Sequence, residues 1–242
     1  GDVEQYFYET VRAFNLAERY QLPVIILADK YGLESDCEAD IFDPRRIGIE
    51  RGDLITGEYG GEEAYRRYKI TENGVSPRAL PLTKGAIVRA NSNEHDEDGF
   101  TTEKPGLTKE MNEKRFRKLN LLLKEIDSIE TTKLYGPEDA DATIVSWGST
   151  KGPIREAMKI LEEEGITVNF LQVVYLEPFP MKPVGTILKS AKKTISVESN
   201  VTSQLSSLIR EKLLKDVDHK ILKYDGRPFN PGELSRRIEE VL

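Results

Sequence analysis

The second half of the chain alternates between short apolar runs and apolar residues at helical spacing. The runs at 142–147, 168–176, 194–197 and 220–224 predict four strands. Between and after these runs, apolar residues three and four positions apart predict four helices, each with one buried face. Strands that alternate with helices are typical of an α/β domain with a mostly parallel sheet, and we expect that architecture here.

Residues at the ends of these helices support the assignment. Ser149 or Thr150 is expected to cap the first helix, and Gly165 is expected to end it. Asn230 is expected to cap the last helix, because Pro231 follows it at the first helical position. The predicted boundaries therefore rest on both the apolar pattern and the capping residues.

The first thirty residues combine a helix pattern with an apolar run. Asp2 and Gln5 have the spacing of a capping box, and the helix is expected to end near Gln21. Residues 23–28 contain the run Val-Ile-Ile-Leu, which is typical of a strand buried in a parallel sheet. A helix followed by such a strand is half of a βαβ unit, so we expect the strand before the helix to lie upstream of residue 1. The helix face is formed by Val3, Phe7, Val11 and Phe14.

The segment from 31 to about 105 is rich in glycine, proline and charge and is predicted to be irregular. Irregular segments of this length are uncommon in compact domains and are often functional or wrapped around a partner. After it, Thr108 is expected to cap a helix that connects to the second domain. The buried face of that helix is predicted to contain Met111, Arg115 through its aliphatic stem, Leu119, Leu122 and Ile126.

The irregular segment contains the acidic cluster Asn-Ser-Asn-Glu-His-Asp-Glu-Asp-Gly at 91–99. Placing Gly99 at the sixth position of a calcium loop puts Pro105 at the twelfth, where a glutamate is needed, so the calcium reading fails. A solvated acidic turn is the ordinary alternative. His95 is one of two histidines; such a residue is more often a surface or hydrogen-bonded group, but its pKa range suits proton transfer.

Composition and charge exclude several classes of function. Hydrophobic residues make up 38% of the chain and charged residues 32%, and the net charge of -7 argues against non-specific nucleic-acid binding. No apolar run has the length of a membrane span, and no signal peptide is visible, so we expect no membrane partner. A chain with one cysteine is typical of a reducing compartment, so we expect a cytoplasmic location. The single cysteine, Cys37, excludes an internal disulfide and cannot hold an iron–sulfur cluster. A redox centre would therefore belong to another chain.

In a parallel sheet, the loops at the carboxyl ends of the strands form the functional crevice. Here these loops are expected at 148–152, 198–200 and 225–227. The first is a glycine- and serine-rich turn that could accept an anion, although it lacks the spacing of a P-loop, and a tight strand-to-helix turn is the ordinary alternative. Glu198 is expected either to cap the next helix or to pair across an interface. No catalytic triad, zinc site or glycosidase carboxylate pair can be assigned.

Several segments in order along the chain resemble the alpha subunit of 2-oxoacid:ferredoxin oxidoreductases of the 2-oxoglutarate type. Each is weak alone, but together they run from residue 1 to the last helix. They are GDVEQYFYETVRAFNLAERYQLPVIILAD, YKITENGVSPRALP, NSNEHDEDGFTTE, SWGSTKG, VESNVTSQL and KYDGRPFNP.

The resemblance implies an enzyme that oxidatively decarboxylates a 2-oxoacid to an acyl-CoA and passes two electrons to ferredoxin. Thiamine diphosphate supplies the carbanion chemistry in that family. The family's beta subunit supplies the diphosphate and magnesium site and an iron–sulfur cluster, and coenzyme A is the co-substrate. A dimer of alpha–beta heterodimers is the expected assembly, with ferredoxin as the electron-accepting partner.

The resemblance also implies a domain organisation. Residues 1–107 are expected to be the carboxyl-terminal part of a pyrimidine-side thiamine domain, and 108–135 a connecting helix and linker. Residues 136–242 are expected to be a transketolase-C-terminal-like α/β/α domain.

Part of the family's pattern is absent from this sequence. The segments Tyr-Pro-Ile-Thr-Pro and Arg-Gly-Gly-Pro, which approach the substrate in the family, would lie upstream of residue 1, as would a thiamine-activating glutamate. No catalytic residue is assigned, and His95 is the weak candidate. Arg78, Asn93, Glu94 and His95 are expected at the edge of the active site or at a subunit interface, with Arg78 facing an anionic substrate.

Asn200 and Gln204 are expected at an interface, and capping of the helix that begins near 203 is the alternative. Two other functions stay open. The chain could be a stand-alone module that binds an anion or another ligand at 148–152, or a purely structural dimerisation domain.

Overall fold

The computed structural model describes residues 1–242 as two compact units. Unit 1 contains 1–7, 27–42 and 128–242, and unit 2 contains 8–26 and 43–127. No helix in either unit combines the length and the apolar character needed to cross a bilayer.

Unit 1 is built on a five-stranded sheet in the order β1-β3-β2-β4-β5. Four strands are parallel neighbours, and β1 pairs with β3 in the antiparallel direction. The mostly parallel α/β architecture predicted from the apolar pattern is therefore confirmed. The strands are β1 Thr132–Tyr135, β2 Ala142–Ser146, β3 Val168–Val173, β4 Thr194–Glu198 and β5 His219–Leu222.

Helices cover both faces of this sheet, as alternating strands and helices require. Ile144 and Phe170 face a cluster that includes side chains of α4 and α7, and Val145 and Leu171 face a cluster that includes side chains of α5 and α6. All four of these strand residues are fully buried. The helices of this layer are α4 Lys151–Glu163, α5 Met181–Ser190, α6 Gln204–Leu213 and α7 Pro231–Glu239, which agree with the four predicted from sequence.

The remaining helices are α1 Val3–Tyr20, α2 Lys30–Glu34 and α3 Pro105–Glu125. In unit 2, α3 lies among long irregular stretches, as predicted for the middle of the chain. The α3 face that points inward carries Met111 and Leu122, but Lys114 and Lys118 lie between them and are 4% and 9% exposed. Arg115, Leu119 and Ile126, which were predicted on this face, are only partly buried.

The carboxyl end of α1 explains one of these buried lysines. Gln21 follows the helix with a φ of 50°, the left-handed conformation that commonly ends helices. Lys118 Nζ donates to the Gln21 carbonyl oxygen at 3.0 Å. A cation at a helix carboxyl terminus satisfies a free carbonyl and the negative end of the helix dipole.

The predicted strand at 23–28 is wrong. These residues form no strand, and Val24, Ile25, Ile26 and Leu27 are 40%, 81%, 47% and 59% exposed. A strand needs a neighbour to receive its backbone hydrogen bonds, and no other segment of this chain pairs with these residues. An apolar run indicates that its side chains favour burial, but it does not identify the segment against which they are buried.

Two predicted caps are also wrong in detail. Helix α3 begins at Pro105, whose fixed φ suits a first helical position, so Thr108 lies inside the helix. Neither Ser149 nor Thr150 caps α4 through its side chain, because a 3₁₀ turn at Gly148–Thr150 leads into the helix. By contrast, Asn230 caps α7 by accepting from the Glu233 amide at 3.1 Å, as predicted.

The capping box of α1 is half formed. Asp2 accepts from the Gln5 backbone amide at 2.9 Å, as predicted. The Gln5 side chain does not return to the cap, because it exchanges two hydrogen bonds with the Gln172 side chain, at 3.0 and 2.9 Å. Both amides are buried, so each satisfies the other, and the pair joins the first turn of α1 to β3 within unit 1.

Candidate functional sites

The acidic segment at 91–102 folds into a tight turn held by its own polar groups. Asp96 Oδ1 accepts from the backbone amides of Asp98 and Phe100 at 3.1 and 2.9 Å. The Thr102 amide donates to the Glu94 carbonyl oxygen at 2.9 Å. These bonds fold the segment into a turn that contains His95, but the predicted solvated acidic turn is confirmed only in part, because Glu94, Asp96 and Glu97 are partly buried.

His95 is 8% exposed and packs against Tyr68, with 3.7 Å between the ring centroids. Its Nδ1 atom is buried and has no hydrogen-bond partner. The pKa of His95 is lowered, mainly because burial disfavours the charged ring and also because the Arg115 guanidinium is nearby. The imidazole is therefore held in its neutral form.

Glu94 and Arg115 form a two-point ion pair beside His95. Arg115 Nη1 and Nη2 donate to the two carboxylate oxygens at 2.9 and 2.6 Å. These hydrogen bonds lower the pKa of Glu94 to about 2 and raise that of Arg115. Bidentate arginine–carboxylate geometry is strong and directional, so it locks both side chains.

Lys114 lies near this pair without an ion-pair or hydrogen-bonding partner of its own. No side-chain hydrogen bond or ion pair is made by its ammonium, which lies 5.9 Å from the centre of the Tyr68 ring. Burial, together with the charges of Lys118, Arg67 and Arg115, lowers the pKa of Lys114 to about 7. Buried groups with perturbed pKa values concentrate at functional sites. We call Tyr68, Glu94, His95, Lys114 and Arg115 the His95 cluster.

The two other predicted active-site-edge residues differ from His95 in their surroundings. Arg78 forms an ion pair with Glu18, and none of its hydrogen bonds joins the His95 cluster. Asn93 is exposed, and its backbone amide donates to Asn91 Oδ1 at 2.8 Å. The structure therefore groups Asn93, Glu94 and His95 through one turn, whereas the Arg78 guanidinium is already paired with a carboxylate.

Sequence reasoning missed Lys114, Lys118 and Tyr68 as members of this region. A signal for the lysines was present, because 111, 114, 118 and 122 have the spacing of one helix face. Two lysines on an otherwise apolar face indicate either long side chains that reach solvent or buried charges. Lys114 and Lys118 are 4% and 9% exposed, so both residues are buried.

The turn at 148–152 in unit 1 had two interpretations from sequence, an anion site or a tight strand-to-helix turn, and the chain supplies carboxylates there itself. The Asp29 carboxylate accepts from both the backbone amide and the hydroxyl of Ser149. Lys151, which is buried, forms an ion pair with Asp2. Internal carboxylates therefore occupy donors that an external anion would use.

Glu198 is fully buried at the end of β4 and receives five hydrogen bonds. The donors are the Ser196 and Ser206 hydroxyls, the Asn200 amide and the backbone amides of Leu205 and Ser206, at 2.8 to 3.0 Å. Burial raises the pKa of Glu198, but the hydrogen bonds outweigh burial, and the pKa lies below its usual value. Glu198 thus caps the amino terminus of α6, one of the two roles expected for it.

Asn200 extends the same cap. Its side-chain oxygen accepts from the Gln204 backbone amide at 3.1 Å while its nitrogen donates to Glu198. The capping contact expected as the alternative for Asn200 is therefore present. The Gln204 side chain is exposed and makes no hydrogen bond.

A groove of about 570 Å³ lies beside α3 in unit 2. Arg117 and Lys124 line it together with Asp53 and Glu72, so charges of both signs face the same space. The mixture of charges, most of them on exposed side chains, selects no class of ligand.

Known proteins are similar to both units of this chain. Residues 140–234 match the family model described as pyruvate:ferredoxin oxidoreductase core domain II. Over its whole length, the chain is 38% identical to the alpha subunit of 2-oxoacid:ferredoxin oxidoreductase 2 from Aeropyrum pernix. Over its whole length, the chain is therefore similar to the alpha subunits of 2-oxoacid:ferredoxin oxidoreductases.

Two further proteins show the same similarity. The chain is 27% identical to the 2-oxoglutarate synthase subunit KorA of Methanothermobacter thermautotrophicus over 244 residues. It is 33% identical to 2-oxoglutarate:ferredoxin oxidoreductase from Magnetococcus marinus, solved with 2-oxoglutarate, coenzyme A and succinyl-CoA bound, with a TM-score of 0.80. That match covers 99% of this chain and 41% of the solved one.

The chain spans only part of the proteins that it resembles. It covers 37% of the Aeropyrum alpha subunit and 60% of the Methanothermobacter subunit. The similarity therefore concerns this portion of those alpha subunits.

Proposed function

We propose that this chain is part of the alpha subunit of a thiamine-diphosphate-dependent 2-oxoacid:ferredoxin oxidoreductase. The reaction converts a 2-oxoacid and coenzyme A into an acyl-CoA and carbon dioxide, with two electrons passed to ferredoxin. The observation that carries the proposal is similarity to named alpha subunits over the whole of this chain. The fold also matches a solved 2-oxoglutarate:ferredoxin oxidoreductase with a TM-score of 0.80. 2-Oxoglutarate is the leading substrate because two of the relatives above are named for it.

The cofactors are proposed to be held mainly outside this chain. It contains no group of three or more His, Cys, Asp or Glu side chains arranged to hold a metal ion, and its one cysteine is the exposed Cys37. The residues present therefore do not fit a magnesium–diphosphate site or an iron–sulfur cluster. A beta subunit that carries both groups, in a dimer of alpha–beta heterodimers, accounts for this composition.

The proposed domain assignment has residues 1–107 as part of a pyrimidine-side thiamine domain, 108–135 as a connection and 136–242 as a transketolase-C-terminal-like domain. The proposed functional residues are Arg78, Asn93, Glu94 and His95 at the edge of the active site. Asn200 and Gln204 are proposed to contact another subunit, with the exposed Gln204 side chain available for that contact.

A stand-alone anion-binding module is the competing function. It requires free donors at 148–152, but Asp29 and Asp2 already pair with Ser149 and Lys151. The occupied donors favour the subunit proposal over the binding module.

The assay that tests the proposal is reduction of a viologen dye by the complex purified with the complete natural chain. We expect reduction that depends on both a 2-oxoacid and coenzyme A, with 2-oxoglutarate, pyruvate and a branched 2-oxoacid compared at equal concentration. Omission of coenzyme A is the internal control. A complex that reduces the dye with none of these 2-oxoacids would overturn the proposal.

A further inference from the structure

The His95 cluster brings an imidazole, a carboxylate and two cations around one aromatic ring, and its geometry defines which atoms can exchange a proton. Nδ1 of His95 is buried without a hydrogen bond, while the side chain keeps 10% of its surface exposed. Nε2 is not among the buried atoms that lack a partner, so it is the ring nitrogen left to meet a proton from outside.

The position of Glu94 is the second part of the geometry. Glu94 Oε1 lies 2.6 Å from Arg115 Nη2 but 3.8 Å from His95 Nδ1, which is beyond hydrogen-bond distance. Arg115 therefore draws the carboxylate away from the imidazole. If Glu94 turned to His95 instead, it would stabilise the imidazolium form, since an adjacent carboxylate favours a charged ring.

The groups that face the imidazole come from three segments. Glu94 and Asp96 lie on its own turn and favour the charged ring, whereas Lys114 and Arg115 on α3 oppose it. Tyr68, which precedes the turn in the chain, packs against the imidazole ring. The balance of these groups, together with burial, lowers the pKa of His95, so that the ring is a free base at neutral pH.

We propose that His95 accepts the thiol proton of coenzyme A, and that Arg115 is a positioning residue that keeps Glu94 away from His95. This inference rests on the proposed function. In that reaction the bond between the carbonyl carbon and the departing carbon dioxide breaks, and its two electrons pass to two ferredoxin molecules. The thiol S–H bond breaks, the sulfur bonds to the acyl carbon, and the proton moves to His95 Nε2 and then to solvent.

Steady-state turnover of the holoenzyme against pH tests this role, with 2-oxoacid and coenzyme A saturating. His95→Gln is expected to lower kcat about a hundredfold or more and to remove the acidic limb of the profile. Arg115→Gln is expected to move that limb to higher pH, because the nearby cation is lost and Glu94 is released toward the ring. Glu94→Gln is expected to move it to lower pH.

Two controls separate positioning from general damage. Arg45→Gln breaks an exposed pair in which Arg45 Nε and Nη2 contact Asp43 at 2.9 Å, and it should leave the profile unchanged. Arg115→Lys keeps the charge and should return the limb most of the way to its original position. A His95→Gln enzyme with normal kcat and an unchanged limb would overturn the inference. Limbs that stay fixed in both Arg115→Gln and Glu94→Gln would also overturn it.

A direct titration keeps the inference testable if a variant loses activity for other reasons. Nuclear magnetic resonance of the complete chain labelled at histidine Cε1 follows each imidazole, with the His95 signal assigned by its loss in His95→Gln. Opposite shifts of its midpoint in Arg115→Gln and Glu94→Gln are expected, and absence of both contradicts the role of Arg115. If the wild-type holoenzyme oxidises no 2-oxoacid, the proposed function itself fails; if it does but His95→Gln behaves normally, this inference alone fails.

Discussion

The five-stranded sheet of unit 1 and the irregular segment of unit 2 are ordered in different ways. The sheet is held by periodic apolar burial, with Ile144, Phe170 and Ile195 fully buried on one face. Between 65 and 102, order comes from side chains that bond to the backbone: Asn73 accepts from the Val75 amide, and Glu97 from the Ile70 amide. Burial that repeats along a chain can be read from its sequence, whereas individual polar bonds of this kind leave no period.

The largest expected effect in this comparison comes from the sheet core. Phe170→Ala should lower the free energy of unfolding by about 3–5 kcal/mol, because it leaves a cavity beneath the stacked Tyr135 ring. Urea denaturation followed by circular dichroism measures the change. Ile41→Ala removes a side chain that is 98% exposed and should change stability by less than about 0.5 kcal/mol. Equal losses in the two variants would contradict the assigned core.

The next effect concerns the buried carboxylate that caps α6. Glu198→Ala strands the amides of Leu205 and Ser206 and should cost about 3 kcal/mol, against less than about 0.5 kcal/mol for the exposed Glu163→Ala. The folded pKa of Glu198 is lowered, so its contribution is present above the unfolded pKa and is lost as pH falls through the folded value. Denaturation at several acidic pH values should therefore show a steeper loss in the wild type than in Glu198→Ala.

A glycine tests how closely the irregular segment packs on α3. Gly74 has a φ of 83°, and an added Cβ would lie 2.3 Å from the Lys114 carbonyl oxygen. Gly74→Ala should cost about 2 kcal/mol through strain and this contact. Gly57→Ala is the matched control, with a φ of 110° and no atom within 4 Å of the added Cβ, and it isolates the backbone strain. A smaller loss for Gly74→Ala than for the control would contradict the packing.

The smallest expected effect is an increase in stability, whereas the substitutions above are expected to lower it. Lys114→Met should stabilise the chain by about 1 kcal/mol at neutral pH, because it replaces an amine that makes no side-chain hydrogen bond on a residue that is only 4% exposed. The folded pKa of Lys114 is about 7 and the unfolded value is near 10.5, so the unfolded state binds more protons between them and wild-type stability rises with pH across that window. Thermal denaturation from pH 7 to 10 should show that rise weakened in Lys114→Met but retained in the exposed Lys109→Met.

The α/β architecture could be predicted because its strands and helices each bury one side of a regular pattern. The edge strand β1 was missed, since Thr-Lys-Leu-Tyr at 132–135 has only one strongly apolar residue and is partly exposed. The strand at 23–28 was predicted wrongly for the converse reason, because apolar residues there have no pairing strand in this chain. Apolar pattern alone therefore identifies central strands better than edge or unpaired ones.

The candidate site could be predicted only in part. His95 was singled out because a histidine in a polar turn is a chemical signal that survives without structure. Its environment could not be predicted, because the Glu94–Arg115 pair joins residues 21 positions apart and Lys114 is buried by contacts across unit 2. Assignment of a neutral imidazole needs those contacts, since the pKa of a histidine depends on burial and neighbouring charges.

The most direct test of the subunit proposal is affinity purification of the complete natural chain from its own cells. Mass spectrometry would identify what copurifies, and a visible spectrum would report any metal cluster. The account predicts a partner in equal amount and a brown eluate with iron–sulfur absorbance. A colourless chain that purifies without a partner would contradict the account.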